Sequence, residues 1–203
     1  MRGQPKISHR CVSSSFSKKL VVSILHIIML VAFATAIKNP EEQENSEFFF
    51  ACSGAEGGEF ATVKSLVEAD PTLVHATTKD SEHCLHLIAI SGNAEIAKFL
   101  LEKGADPDIR SGWEAGLRMH PLSWNTFYGR ADIIELLLKH GADVNADFDM
   151  GAGDEAEKVT VLDVVEQILI NSQEGEDKER FIKARNVLVK NDAMRYASLE
   201  PEL

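Results

Sequence analysis

The sequence predicts an all-α solenoid of about four helix-turn-helix units, preceded by an N-terminal hydrophobic helix. Three observations carry this. A block of residues recurs at a fixed offset; each block splits at a glycine into two short apolar helical stretches; and an uncharged run stands apart near the N-terminus. A fixed offset of this size marks stacked units, each too small to bury its apolar face alone.

The N-terminus comes first. Residues 1–19 hold Arg2, Lys6, Arg10, Lys18 and Lys19 and no acid. The stretch LVVSILHIIMLVAFATAI (20–37) follows, bracketed by Lys19 and Lys38. Its layout is that of a secretory signal peptide, with Ala34, Thr35 and Ala36 small enough for a cleavage site. Its length also suffices for an uncleaved transmembrane anchor. Both readings put the rest of the chain on the non-cytoplasmic side, since the basic flank precedes the apolar run and the acidic NPEEQENSE follows it. The basic, serine-rich flank also fits an organellar targeting sequence. A soluble intracellular protein is the alternative. No Asn-x-Ser/Thr acceptor occurs, so glycosylation lends secretion no support. Residues 38–46 read as an acidic linker.

The repeats occupy residues 47–193. Ten residues recur at an offset of 37: His83, Leu85, Gly92, Ala94, Ile96, Leu100, Leu101, Gly104, Ala105 and Asp106 match His120, Leu122, Gly129, Ala131, Ile133, Leu137, Leu138, Gly141, Ala142 and Asp143. Residues 84–91 make two helical turns, and Gly92 supplies the left-handed geometry that ends them. Ile96, Ala97, Phe99, Leu100 and Leu101 give the second helix its apolar face. Gly104 ends it, and ADPD turns the chain outward. The units fall at about 47–77, 78–110, 115–147 and 157–193, before a tail of 194–203. In the first, Gly58 and Leu66 stand 34 residues before Gly92 and Leu100. In the fourth, TVLDVVEQIL and DKERFIKARNVLVKND are the two helices, and the glycine-bearing acidic stretches DFDMGAGDEAEK and NSQEGE read as loops.

These residues resemble the ankyrin repeat, whose pattern runs TPLHLAA, then Gly, then a leucine-rich helix, then GADVN. CLHLIAISG with LLEKGADPD, and HPLSW with YGRADIIELLL and KHGADVNA, carry the resemblance twice. It implies a solenoid that binds proteins and catalyses nothing. It also implies that His83 and His120 stand in for a locally bonding threonine, and that His86 is the family's structural histidine. Departures are Cys84 for the proline, Ser123 for the histidine, Asn125 and Thr126 for two alanines, and the inserted RSGWEAGLRM.

Of the 21 basic and 32 acidic residues, five basic ones precede position 37, leaving a net charge of −16 beyond it. Such a field repels phosphate backbones and excludes nucleic acid as partner; it suits a basic or amphipathic protein, bound by a monomer. The cluster His83, Cys84, His86 with His120 raises a thiol- or metal-dependent enzyme as the rival function, but no second ligand pair appears at metal spacing. The expectation is therefore no catalysis, metal or cofactor. Three cysteines set no disulfide framework, and the Gly58 register puts Cys52 and Cys84 out of bonding reach. The expected partner-binding face gathers Ile90, Trp113, Met119, Phe127 and Tyr128 at the ends of the first helices, with the turn tips at Asp80 and Glu82. Aromatic and methionine side chains beside acids suit an interface hot spot; Phe127 and Tyr128 either serve it or fill space in the stack, while Trp124 is expected in the core.

Overall fold

The computed structural model describes residues 45–54, 59–112, 118–150, 157–173 and 175–199. Four helix pairs follow one another. The first is α1 (Ser46–Ser53) and α2 (Phe60–Ala69), trailed by a 3-10 turn at Pro71–His75; the second is α3 (Cys84–Ser91) and α4 (Ala94–Glu102). The third is α5 (Pro121–Phe127) and α6 (Ala131–Lys139); the fourth is α7 (Val161–Asn171) and α8 (Glu176–Lys190), trailed by a 3-10 turn at Tyr196–Ser198. First helices pack in sequence, α1 on α3 on α5 on α7, and second helices likewise, α2 on α4 on α6 on α8. The core runs between these layers through Leu85, Ile96, Leu100, Leu122, Ile133, Leu137, Val165 and Leu188, all fully buried. The expected hydrophobic helix at 20–37 lies outside the described residues, as do Gly58 and Trp113. Among the described residues no helix is long and apolar enough to cross a membrane.

Gly92 and Gly129 take φ of 72° and 65° and end α3 and α5 as the repeat pattern requires. The second helices end alike. Ala105 and Ala142 donate their amides back to the carbonyls of Leu100 and Leu137, at 3.0 Å each, around Gly104 and Gly141. The fourth unit repeats this device unannounced: Ala193 donates to Leu188 at 3.1 Å, with Asp192 at φ 63° where the others have glycine. VLVKNDA (187–193) is thus the counterpart of FLLEKGA and LLLKHGA.

Three expectations need correction. The turn of the first unit is Gly54, at φ 73° with its amide bonded to Phe50 O, so α1 ends 38 residues before Gly92 rather than 34. The cysteines, expected out of reach, are the second correction, because α1 packs directly on α3. Cys52 and Cys84 are disulfide-bonded, Cα to Cα 5.5 Å, joining α1 to α3. Lastly, the stretch read as a loop before the fourth unit contains two strands. β1 (Phe148–Met150) and β2 (Glu157–Val159) pair antiparallel, Phe148 opposite Val159. Three-residue strands are too short for alternation to announce them.

A candidate partner-binding surface on the fourth unit

The chemistry-bearing side chains of the inner repeats are consumed by the fold. His83 caps α3: its Nδ1 accepts from Leu85 N–H at 3.1 Å, and Nε2 bonds Val74 O at 2.6 Å. His86 Nδ1 accepts from His83 N–H at 2.9 Å, which leaves the proton on Nε2 to donate to Met119 O at 3.1 Å. His120 repeats the arrangement, accepting from Ser123 N–H and bonding Ala146 O, each at 3.2 Å. Each imidazole therefore ties a helix N-terminus to a neighbouring segment, in its neutral form. Burial pushes His86 down to about 3 and His120 to about 4, and lowers His83 also. With Cys84 bonded to Cys52, the thiol of the rival enzyme reading is gone. Among the described residues no group of three or more metal-capable side chains is arranged to hold an ion.

The departures at the third unit are absorbed in the same way. Ser123 completes the cap with His120, its Oγ accepting from His120 N–H at 3.2 Å. Asn125 Nδ2 donates to Leu85 O at 3.2 Å and Pro121 O at 2.8 Å, and Thr126 Oγ1 donates to Leu122 O. Arg130 clasps the preceding unit, donating from Nε to Ala89 O at 2.9 Å and from Nη2 to Ile90 O at 2.7 Å. Its guanidinium lies where a side chain on Gly92 would stand.

The expected face divides. Met119 is 2% exposed, its carbonyl shared by His86 and Ser111; it belongs to the core. Glu82 is also buried, at 4% exposure, instead of standing at a turn tip. Its amide donates to Thr78 Oγ1, and desolvation, with Asp80 nearby, raises its carboxyl to about 7. Asp80 is half-buried, and its carbonyl accepts from Gly112 N–H. Ile90 and Tyr128 are half-buried against the core. Trp124 is buried, edge-on to His86 with ring centroids 5.6 Å apart. Phe127 is half-buried, and it reaches forward, its ring 6.5 Å from that of Phe148 on β1.

That forward contact leads to a cavity of about 510 Å³, a size typical of ligand sites. It lies between the β-hairpin, α7 and the C-terminal 3-10 turn. Phe127, Met150, Val159, Val164 and Ile168 supply its apolar wall; Glu157, Glu166, Gln167 and Arg195 supply polar groups. Lys158, also lining it, is paired with Asp147, and Arg195 with Glu166, which Arg185 Nη2 also reaches at 3.2 Å. Asp163 fixes the turn over the cavity, accepting from Thr160 N–H at 3.0 Å and Tyr196 N–H at 2.9 Å. Of the expected face, this cavity includes Phe127 alone. The other lining residues were hidden by the hairpin read as loop. The usable signal was the Thr160-x-x-Asp163 capping box.

Paired helices in two stacked layers, joined by left-handed turns and bridged by capping histidines, define an α-helical repeat solenoid. Residues 48–147 match the family model for ankyrin repeats, in three copies, and the chain belongs to the ankyrin-repeat proteins. The fourth helix pair lies beyond that match. The chain is 33% identical over 110 residues to ankyrin repeat and SAM domain-containing protein 6 of Mus musculus, covering 53% of this chain and 11% of that one. It is 38% identical over 81 residues to serine/threonine-protein kinase VIK of Arabidopsis thaliana, covering 40% and 18%. With palmitoyltransferase ZDHHC13 of Homo sapiens it shares 37% over 86 residues, covering 42% and 13%. The chain thus spans less than a fifth of each of these relatives.

Proposed function

We propose that this chain is a protein-interaction module without catalytic activity, carried into or tethered at a membrane by residues 20–37, with its repeats on the non-cytoplasmic side. The interaction role follows from the ankyrin stack, a fold that presents surface rather than reacting groups. The observation that carries the topology is the Cys52–Cys84 bond, because disulfides persist in oxidising compartments and are rare in the cytosol. The order basic flank, apolar run, acidic linker supports the same side. The activities named for the kinase and palmitoyltransferase relatives do not come with the repeats, since the shared portion is 18% and 13% of those proteins. The test joins two measurements on the expressed full chain: protease protection in intact membrane vesicles, and thiol alkylation before and after reduction. Protected repeats whose Cys52 and Cys84 alkylate after reduction alone support the reading. Digestion without detergent, with both thiols already free, establishes the soluble intracellular adaptor instead.

A further inference from the structure

We propose that the cavity beside α7 is a docking groove for a basic peptide segment, which inserts one apolar side chain against Phe127 and Val164. This rests on the interaction-module reading and deepens it by naming the site and the chemistry of the partner.

The groove is built by the fourth unit, where the β-hairpin stands between α6 and α7 and the chain doubles back at Tyr196 to cover α7. The result is an apolar trough, open to solvent. Apolar exposure concentrates in the same unit. The large hydrophobic side chains most exposed among the described residues are Ile170 at 75%, Val189 at 46% and Met194 at 42%. Ile170 is at the rim of the groove itself.

Two features select the occupant. First, the side-chain nitrogen of Gln167 is buried at the groove with no hydrogen-bond partner among the described residues. A buried amide left unpaired is costly. A peptide main chain offers both a carbonyl and an N–H, so it satisfies this amide whichever way its oxygen and nitrogen are turned; a hydrocarbon tail satisfies neither. Second, the charge at the rim is negative. The two lining cations are engaged, Lys158 by Asp147 and Arg195 by Glu166. Glu157 is exposed and has no ion-pair partner among the described residues. Beyond residue 36 the whole chain carries a net charge of −16, which steers cationic segments inward.

The probe is a synthetic dodecapeptide of alternating lysine and leucine around a central phenylalanine, titrated into the full chain with isotope-labelled methyl groups. Its counterpart carries glutamate for every lysine. The expected result is saturable shifts of the Val164, Ile168 and Ile170 methyls with the lysine peptide and none with the glutamate peptide. Ile170→Glu, placed in solvent at the rim, should weaken binding about tenfold or more, and Gln167→Leu should weaken it while leaving the methyl spectrum of the stack intact. Equal binding of both peptides overturns the charge argument and with it the proposal. Shifts confined to the α3 and α5 ends overturn the groove and leave the interaction-module reading standing. No shift anywhere overturns the groove, whereas the topology reading is decided separately by protease protection.

Discussion

Replacing Gly129 with alanine tests how the fourth helix pair is locked onto the third. Gly129 has φ 65°, where an L-residue pays about 1 kcal/mol for its Cβ. That Cβ would also stand 3.0 Å from Arg180 Cγ and 3.2 Å from two ring atoms of Phe181. Arg180 can swing aside at the cost of its stacking on the Phe181 ring, 4.9 Å from the centroid. Phe181 is buried and cannot. Crowding a packed site costs roughly 1–3 kcal/mol, so Gly129→Ala should lose about 2–4 kcal/mol in total. Gly141 separates the two causes. Its φ is 95°, and nothing lies within 4 Å of its would-be Cβ, so Gly141→Ala suffers strain alone, about 1 kcal/mol. The assay is urea unfolding of the disulfide-intact chain followed by circular dichroism, comparing midpoints and slopes. In a melt the Gly129 variant should fall further by several degrees, at about 2–4 °C per kcal/mol for a chain of this size. Equal losses at the two positions would refute the packing of α8 against the third turn. An unchanged midpoint for Gly129→Ala would refute the repeat register itself.

Three further outcomes follow from the same geometry. Cys52→Ala combined with Cys84→Ala should lower stability by about 4 kcal/mol, the chain-entropy value for a bridge spanning 32 residues; a loss under about 1 kcal/mol would mean the first unit holds by packing alone. Asp192→Gly should raise stability by about 0.5–1 kcal/mol, because glycine accepts φ 63° without a Cβ penalty; a lower unfolding midpoint would show that the Asp192 side chain contributes a bond of its own. For pH, Glu82 has a folded pKa raised to about 7 from 4.5, so the folded state holds the extra proton and loses stability as pH rises through that window. His86 and His120, lowered to about 3 and 4, act oppositely, withdrawing stability as pH falls below about 6.5. Glu82→Gln should therefore raise the melting temperature at pH 8 relative to the parent and leave it nearly unchanged at pH 5, and equal shifts at both would refute the buried carboxyl.

The inner repeats were legible because each position there has one local job. A glycine needed at positive φ, a leucine pair facing the core and a capping residue before each first helix are set by neighbours a few residues away, and they recur in step. The first unit misled because its turn residue is one of several glycines in GAEGG, and choosing Gly58 over Gly54 moved the first helix by four residues. The disulfide was concealed for a separate reason: it is a contact between residues 32 apart that neither register nor any local pattern reports. Met119 and Glu82 were misplaced for another reason. Sequence register set them at a helix end and at a turn tip, yet burial there is decided by the insertion folding back: Ser111 N–H bonds Met119 O at 2.9 Å, and Gly112 N–H bonds Asp80 O at 3.0 Å.

The fourth unit shows why departure from the repeat and opportunity for binding coincide. In the second and third units His83, His86 and Arg130 find their partners one unit away, so a new contact at these side chains would have to break one already made. His86 holds Met119 O, and Arg130 holds Ala89 O and Ile90 O. At the fourth unit the pattern changes. Asp163 replaces the histidine in the cap and turns to Tyr196 rather than to a further repeat. Asn145 is held by the returning chain, its Oδ1 accepting from Met194 N–H at 2.7 Å. The stack is thereby finished at its turn ends, while the C-terminal half of α7, at Gln167 and Ile170, keeps an unpaired amide and an exposed aliphatic side chain. An unpaired buried amide beside an exposed aliphatic side chain is the kind of local inconsistency that functional sites carry. The cheapest discriminating variant is Gln167→Leu. If Gln167 served the stack, removing its amide would destabilise; if it awaits a partner, relieving a buried unpaired nitrogen should leave stability equal or higher by about 1 kcal/mol. A fall in the unfolding midpoint would return Gln167 to the fold.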